Sequence, residues 1–305
     1  MSDQASEGAR QPPAGASAAA QLDPRRAPFR PDLAADTLYG KVSAPRYAHG
    51  KPAQVVRAAV PLRRRPSAGL GFDTEALFGE HVTVYDVAQG WAWAQLARDR
   101  YVGYLAADAL TSEVRAHTHR VKATGTFLYP APDIKSPPLM HLGLNALLTV
   151  ADGDERFVRL EQGGFVATRH VAEVDRFARD FVEIAERFIG TPYLWGGKSR
   201  IGLDCSGLVQ VALEAAGIAC PRDSDMQQAE LGSDVLVPKD LDGLQRGDLV
   251  FWKGHVGIMI DGLMLLHANA HHMAVVVETL PEAVERIARG GLQIVAVRRL
   301  EALGA

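Results

Sequence analysis

Short apolar runs separated by Gly, Pro and Asp fill the chain from about residue 38 to residue 174. The clearest runs cover residues 82–85, 91–96 and 101–105, and each is too short for a long helix. Short strands with frequent turns are typical of small all-β barrels. We therefore predict small all-β structure in this half of the chain.

A faint internal repeat divides this region, because positions 64 residues apart (157 − 93) carry similar side chains. The matched pairs are Trp93 with Phe157, Leu96 with Leu160, Tyr101 with Phe165 and Val102 with Val166. In both copies the pattern predicts an aromatic strand, a polar turn and a second aromatic strand. The repeat predicts two barrels, over residues 35–112 and 113–173. A single β-sandwich with chance similarity is the alternative.

The pattern changes at residue 174. Apolar positions at helical spacing predict a helix over residues 174–189, ended by Gly190 and Pro192, and a second helix over about 205–216, ended by Gly217. Five apolar strands follow, over residues 249–252, 255–260, 263–268, 274–278 and 293–298. Helices followed by an antiparallel sheet make residues 174–305 an α+β domain.

Composition and chain ends limit the classes of function. The net charge of the 305 residues is −3, which gives no field for bulk nucleic-acid binding. No apolar run is long enough to span a membrane. We therefore expect the protein to bind neither nucleic acid nor a membrane. Residues 1–34, rich in Ala, Pro, Gly and Ser, predict a disordered tail without a secretion signal. The expected location is therefore the cytoplasm, where both cysteines stay thiols.

Cys205 is the first candidate for chemistry. It follows Gly202-Leu203-Asp204 and begins the second predicted helix. Unpaired N–H groups and the positive end of a helix dipole stabilise a thiolate, and the same N–H groups can hold an oxyanion. A buried structural cysteine is the alternative. Cys220, before Pro221, is predicted to serve packing alone.

A base for this thiol is predicted at His255, which begins an apolar strand after the Lys253-Gly254 turn. A strict two-residue turn at Asp261-Gly262 would put His267 on the opposite face of the hairpin. A bulged loop with left-handed Gly262 would pair His255 directly with His267. We predict the bulged register, because His255 needs a polar neighbour to fix its tautomer. A surface histidine at a turn is the alternative.

The C-terminal domain resembles the NlpC-type family of cell-wall cysteine peptidases, which have a papain-like fold. Five segments carry the resemblance, in order: residues 190–197, 204–207, 221–224, 247–251 and 255–258. The upstream region is similar to bacterial SH3 domains, so the resemblance implies two SH3-like barrels before a papain-like catalytic domain. It implies that Cys205 attacks an amide carbon, His255 relays the proton and His267 orients His255. A supporting role for Tyr193 at the oxyanion rests on the resemblance alone.

Family members with SH3-like domains look like γ-D-glutamyl-L-diamino acid endopeptidases, which cut murein stem peptides that have a free N-terminal L-Ala. The implied ligand is L-Ala-γ-D-Glu-diaminopimelate, in murein-peptide recycling. Its ammonium, carboxylates and D-Glu stem suggest these contacts: Glu80 or Asp204 for the ammonium, Tyr101 or Tyr104 as a wall, Arg222, Ser206 and Ser224 for carboxylates, and Trp195 for the stem. The ordinary alternatives are a solvated carboxylate at Glu80, a helix cap at Asp204 and a core position for Trp195.

Two other classes of function stay open: a murein-binding module with a silent thiol domain, and a thiol acyltransferase or amidase on the same fold. No cofactor is implied. A metal site at His267, His271 and His272 is disfavoured, because neighbouring residues of an extended strand point apart. The oligomeric state and the preferred diamino acid stay undetermined.

Overall fold

The structure, a computed structural model, describes residues 22–236 and 241–301. Residues 1–21 of the predicted disordered tail lie outside the described residues. The rest of that tail was wrongly predicted, because residues 29–30 and 33–35 form strands and Leu33 is buried. Ala27 and Leu38 pack in a small apolar cluster, and the Arg25 carbonyl accepts a hydrogen bond of 2.8 Å from the Val102 amide. Pairing with the neighbouring sheet therefore orders this segment.

The first β unit follows three short N-terminal strands. These strands are β1 (Phe29–Arg30), β2 (Leu33–Ala35) and β3 (Tyr47–Ala48). The unit itself comprises β4 (Lys51–Val55), β5 (Ala59–Leu62), β6 (Thr74–Leu77), β7 (His81–Ala88), β8 (Trp91–Leu96), β9 (Val102–Ala106) and β10 (Leu110–Thr111). Its main sheet has the order β10-β4-β7-β8-β9, and β5 pairs with β6. The three apolar runs seen in the sequence lie largely in β7, β8 and β9.

The second β unit is smaller. Its strands are β11 (His119–Val121), β12 (Gly125–Leu128), β13 (Met140–Gly143), β14 (Leu147–Leu148), β15 (Val150–Gly153), β16 (Phe157–Leu160), β17 (Phe165–Ala167) and β18 (Val171–Glu173). The β16–β17 hairpin precedes a 3₁₀ turn at Thr168–His170, as the β8–β9 hairpin precedes one at Ala107–Ala109. The sequence repeat thus coincides with a repeated hairpin and turn. The two units have separate apolar cores, around Leu96 and Leu160.

The third domain packs helices on a six-stranded sheet. Its elements are α1 (Phe181–Glu186), β19 (Lys198–Ser199), β20 (Gly202–Leu203), α2 (Cys205–Ala215), α3 (Ser224–Glu230), β21 (Ser233–Asp234), β22 (Leu249–Trp252), β23 (His255–Met259), β24 (Met264–Asn269), β25 (Ala274–Thr279), α4 (Leu280–Ala288) and β26 (Ile294–Arg299). The sheet order is β21-β26-β22-β23-β24-β25, and its neighbours are antiparallel. The α+β prediction for this domain is confirmed.

Helix boundaries differ from the prediction where side chains cap the backbone. The helix predicted over residues 174–189 begins only at Phe181, because the Asp180 carboxylate accepts a hydrogen bond from the Val182 amide. Helix α4 was not predicted, although Thr279 and Glu282 form a capping box at its start. Among the described residues, no helix is long and apolar enough to cross a membrane.

A buried charge cluster lies where α2 meets the β units. Arg98 donates to Glu214 at 2.8 Å and lies 3.5 Å from Glu80. The Lys198 ammonium, which is fully buried, lies 3.8 Å from Glu214 and 4.0 Å from Asp99. Breaking one partner of such a cluster leaves a buried charge uncompensated, so these contacts fix the position of α2 relative to the β units.

Candidate active site

Cys205 is the first residue of α2 and is 8% exposed. Helix α2 begins there because the Asp204 carboxylate caps it, accepting a 2.7 Å hydrogen bond from the Gly207 amide. The backbone amides of Ser206 and Val256 are placed to bond the ionised sulfur. Val256 follows His255 directly in β23, so the packing of α2 on β23 brings the sulfur beside the strand that carries His255.

The loop before Cys205 is held by the same carboxylate. Asp204 Oδ2 accepts hydrogen bonds of 2.7 Å from the Gly196 amide and from Arg222 Nη2. Gly207 allows this close approach, since a Cβ there would lie 2.3 Å from the Gly197 carbonyl oxygen. Asp204 is therefore the organising residue of the turn. Its predicted contact with substrate stays a prediction.

Arg222 does not have the predicted substrate-binding role. Its side chain is 1% exposed, and its Nε and Nη1 donate to Thr74 at 3.0 Å and to Ser206 at 2.8 Å, besides the bond to Asp204. All three nitrogens are thus engaged inside the protein, where a substrate carboxylate has no access. Arg222 instead connects the turn around Cys205 to β6 of the first β unit. Ser206 is buried as its partner, and its predicted contact with substrate stays a prediction.

His255 and His267 lie on the same face of the β23–β24 hairpin. Ile258 pairs with Leu266 and Met259 with Leu265, which places Gly257, not His255, opposite His267. The predicted direct pairing was wrong by two residues, and Gly262 does not adopt the predicted left-handed conformation. The prediction that both rings share one face is correct, because a shift of two residues leaves the face unchanged.

The two imidazoles form a relay that ends on a carboxylate. His255 Nε2 lies 2.9 Å from His267 Nδ1, and His267 Nε2 lies 2.6 Å from Glu278 Oε1. Arg286, from α4, donates to the same carboxylate. The sequence missed Glu278, because only the pairing of β24 with β25 brings it near His267. Since Nε2 of His255 faces His267, its Nδ1 is the nitrogen available to the thiol.

Burial keeps both reacting groups neutral. It raises the pKa of Cys205 to about 12, an effect that the Asp204 charge reinforces. Burial likewise lowers the pKa of His255 to about 3, with further lowering from His267 and Arg286. The pKa values therefore favour a resting thiol at Cys205 and a neutral imidazole at His255 over the expected thiolate. Such a pair reacts by proton transfer during attack instead of by a preformed ion pair.

Two aromatic residues, Tyr193 and Trp195, belong to the motif before Cys205. Tyr193 is half-buried, and burial raises its pKa, to which the nearby Cys205 and Asp204 charges add. An ionised Cys205 would therefore act on the Tyr193 phenol electrostatically. Trp195 is 63% exposed, which excludes a core position for it and leaves its face open to a ligand. The catalytic role of Tyr193 and the stem contact of Trp195 stay predictions.

An acidic site lies next to Arg222, between the catalytic domain and the first β unit. Asp223 Oδ2 accepts hydrogen bonds of 3.0 Å from the Tyr101 hydroxyl and 2.9 Å from Arg25 Nη1. Burial raises the pKa of Tyr101, and the charges of Asp223 and Asp73 raise it further. Burial also raises the pKa of Asp223. The sequence did not predict Asp223 as a site residue, although Asp223 lies between Arg222 and Ser224 in the motif of residues 221–224.

Glu80 was wrongly predicted to meet the ammonium of the substrate. It is 2% exposed, and both carboxylate oxygens are buried in the cluster with Arg98. Tyr104 accepts a hydrogen bond of 3.0 Å from Arg30 and lines a cavity of about 870 Å³ beside the segment 22–32. Of the two predicted tyrosines, Tyr101 is thus the one whose hydroxyl reaches the catalytic domain. Ser224 is half-buried beside Asp223, and its contact stays a prediction.

The described residues contain no group of three side chains that could hold a metal ion. His271 and His272 pack edge to face, 4.7 Å between ring centroids, and His272 bonds Asn269 at 3.0 Å. Both cysteines are free thiols, and Cys220 is a buried neighbour of Gln227.

Comparison with known proteins agrees with this geometry. Residues 190–286 match the model of the NlpC/P60 family, and residues 62–110 match the bacterial dipeptidyl-peptidase Sh3 domain. A relative from Bacillus subtilis (strain 168), the gamma-D-glutamyl-L-lysine dipeptidyl-peptidase, is 30% identical over 69% of this chain and 77% of its own length. The chain belongs to the NlpC/P60 family. It is a hydrolase of the cysteine peptidase class, and the resemblance inferred from its five motifs is confirmed.

Another relative and a solved structure match most of the chain. Dipeptidyl-peptidase 6 of Lysinibacillus sphaericus is 28% identical over 68% of this chain and 84% of its own length. A crystal structure of an NlpC/P60 family protein from Bacillus cereus superposes with a TM-score of 0.68 and 22% identity. That alignment covers 82% of this chain and 99% of the other, so the two chains share their fold over most of their length.

Proposed function

We propose that this protein hydrolyses the γ-D-glutamyl-L-diamino acid bond of murein stem peptides whose N-terminal L-Ala is free, with diaminopimelate as the diamino acid. The observation that carries the proposal is the position of the acidic site. Asp223 follows Arg222, which is bonded to the turn that presents Cys205. A carboxylate that binds a cation, next in sequence to the arginine that holds the Cys205 turn, favours a peptide whose free amino end lies near the bond to be cut.

The proposed reaction begins with proton transfer. The Cys205 thiol gives its proton to Nδ1 of His255 while the sulfur attacks the γ-carbonyl carbon of D-Glu. The C–N bond then breaks, and the imidazolium of His255 donates its proton to the leaving amine of the diamino acid. A water molecule attacks the thioester, gives a proton to His255 and releases the carboxylate product with the thiol restored.

The oxyanion of each tetrahedral intermediate would be stabilised at the start of α2. Backbone N–H groups in the first helical turn lack intrahelical acceptors and point toward developing negative charge. The Tyr193 hydroxyl is the second proposed donor, a role that the resemblance implies and that fits the rise in its pKa caused by burial and by the Cys205 charge. Burial keeps the Tyr193 phenol protonated, as a hydrogen-bond donor must be.

The free amino end of the peptide is proposed to bind Asp223 and the Tyr101 hydroxyl. An ammonium next to a half-buried carboxylate forms a charge-assisted hydrogen bond, which is stronger than a neutral one. An acylated peptide N-terminus, as in intact murein, has no such charge. We therefore propose that free peptides are the substrates, in recycling, and that the protein acts in the cytoplasm. Cell fractionation followed by immunoblotting tests the location.

The deciding experiment incubates the purified full chain with L-Ala-γ-D-Glu-diaminopimelate, the same peptide acetylated at L-Ala, and intact sacculus, with products identified by mass spectrometry. We expect L-Ala-D-Glu and free diaminopimelate from the first substrate alone. The variant C205S controls for contaminating peptidases. Cleavage of sacculus at an equal rate would overturn the recycling role, and transfer of the acyl group to another acceptor would favour an acyltransferase.

A further inference from the structure

The hydrogen-bond relay behind His255 contains a residue that the cysteine–histidine–histidine arrangement does not include. Glu278 Oε1 lies 2.6 Å from His267 Nε2, and its side chain is 14% exposed. Arg286 donates to the same oxygen from α4. Glu278 therefore couples the relay to a helix that has no other part in the proposed chemistry.

The hydrogen-bond partner of His267 Nε2 decides which ring nitrogens of His267 and His255 are protonated. An ionised carboxylate only accepts hydrogen bonds, so Glu278 requires a proton on Nε2 of His267. In the neutral ring, Nδ1 of His267 then has a lone pair, and it accepts from Nε2 of His255 at 2.9 Å. His255 is consequently left with an unprotonated Nδ1, the nitrogen that the proposed reaction uses as its base.

Asn269 competes for the same nitrogen with the opposite consequence. Its Nδ2 lies 2.9 Å from His267 Nε2, and its Oδ1 is fixed by the His272 amide at 2.8 Å. If Asn269 donated to Nε2, both rings would take the other tautomer. Nδ1 of His255 would then hold a proton and could not receive one from the thiol. The outcome depends on which partner prevails.

Glu278 is the stronger partner of His267 Nε2. Its contact of 2.6 Å is shorter than the 2.9 Å contact of Asn269, and its negative charge strengthens the hydrogen bond. Burial works to raise the pKa of Glu278, but the hydrogen bonds from His267 and Arg286 outweigh it and lower this pKa to about 2. Glu278 is therefore ionised at neutral pH.

We propose that Glu278 is a positioning residue that fixes the tautomers of His267 and His255, and that Arg286 tunes its negative charge. This inference rests on the proposed function for the identity of the base, although the tautomers themselves are independent of any substrate. Besides the two histidines themselves, the charged and titratable groups that act on the two rings are Glu278 on β25, Arg286 on α4 and His272 after β24.

The first test measures tautomers directly and needs no activity. Nitrogen-15 NMR of the histidine-labelled full chain is expected to show protonated Nε2 and unprotonated Nδ1 in both rings. In E278A the Asn269 amide becomes the partner, and we expect both rings to change tautomer. In N269A we expect the wild-type tautomers. Protonated Nδ1 in both wild-type rings would overturn the proposal.

The second test measures activity against pH. E278Q keeps an oxygen acceptor but removes the charge that stabilises the imidazolium, so the acid limb moves to lower pH and kcat falls about tenfold. R286M removes a positive charge that opposes the imidazolium, so the acid limb moves to higher pH. A purely structural role would lower kcat in both variants without these opposite shifts, and that result would overturn the proposal. Circular dichroism at each pH confirms folding. If wild type has no peptidase activity, the proposed function fails while the NMR test still decides this inference.

Discussion

The hydroxyl of Tyr101, the residue before strand β9, donates a hydrogen bond of 3.0 Å to Asp223, which precedes helix α3 of the catalytic domain. The two residues are 122 positions apart in the chain. The acidic site at Asp223 is therefore built by two domains together, and the proposed selection of a free amino terminus depends on their contact.

Substitution D223N should weaken binding of the free-amine peptide. The amide keeps the shape of the side chain but removes its charge, and a hydrogen bond to a charged group contributes about 1.5–3 kcal/mol. We expect KM to rise by about tenfold to a hundredfold, with kcat nearly unchanged. Steady-state kinetics on L-Ala-γ-D-Glu-diaminopimelate measures both constants. D234N, at an exposed carboxylate on β21, is the control, and an equal KM for D223N and D234N would contradict the assignment.

Substitution R25A should have the opposite effect on KM. The Arg25 guanidinium lies 2.9 Å from Asp223 and 2.8 Å from Asp225, so it occupies the carboxylate proposed for the substrate ammonium. Removing this competing cation is expected to lower KM severalfold at unchanged kcat. R26A is the matched control, since the neighbouring Arg26 pairs with Glu230 on α3. A KM that rises in R25A would show that Arg25 supports the site instead of competing for it.

The neutral resting pair predicts how the thiol and the activity respond to pH. With a Cys205 pKa of about 12, alkylation by iodoacetamide should be slow near about pH 7 and still accelerating near about pH 10. Peptidase activity requires neutral His255, so it is lost only as the pH falls toward the His255 pKa of about 3, and not near the usual value of about 6.5. C205S gives the background alkylation of Cys220. A rapid alkylation plateau near neutrality would indicate a preformed thiolate–imidazolium pair.

Substitution R222M should destabilise the fold as well as the site. It leaves the Asp204 carboxylate, 6% exposed, without its buried cation, a change that typically costs about 3–5 kcal/mol. Urea unfolding followed by circular dichroism measures the loss. R187M removes an exposed partner of Glu183 on α1, and such surface pairs contribute less than about 1 kcal/mol. Equal losses in the two variants would show that Arg222 is not the link between the β6 strand and the Cys205 turn.

Local signals in the sequence located the nucleophile and most of the catalytic sheet. The Asp204 cap, the apolar spacing of α2 and the terminating Gly217 act within a few residues, so they can be recognised without knowledge of the fold. The same holds for β22 to β25, whose boundaries lie within one residue of the predicted runs. Helix α1 was predicted too long because the Asp180 cap lies inside the apolar pattern and sets the first turn.

The sequence by itself determined that a cysteine begins a buried helix and that two histidines lie on neighbouring strands, because capping and periodicity are local properties. Only the tertiary structure decided which polar and charged side chains are in contact. The register of β23 on β24, the burial of Glu80 and Arg222, the pairing of Tyr101 with Asp223 and the contact of His267 with Glu278 all join segments whose order in space comes from packing. Hydrogen bonds and ion pairs act over a few ångströms, so their partners are defined only once the strands and domains have docked.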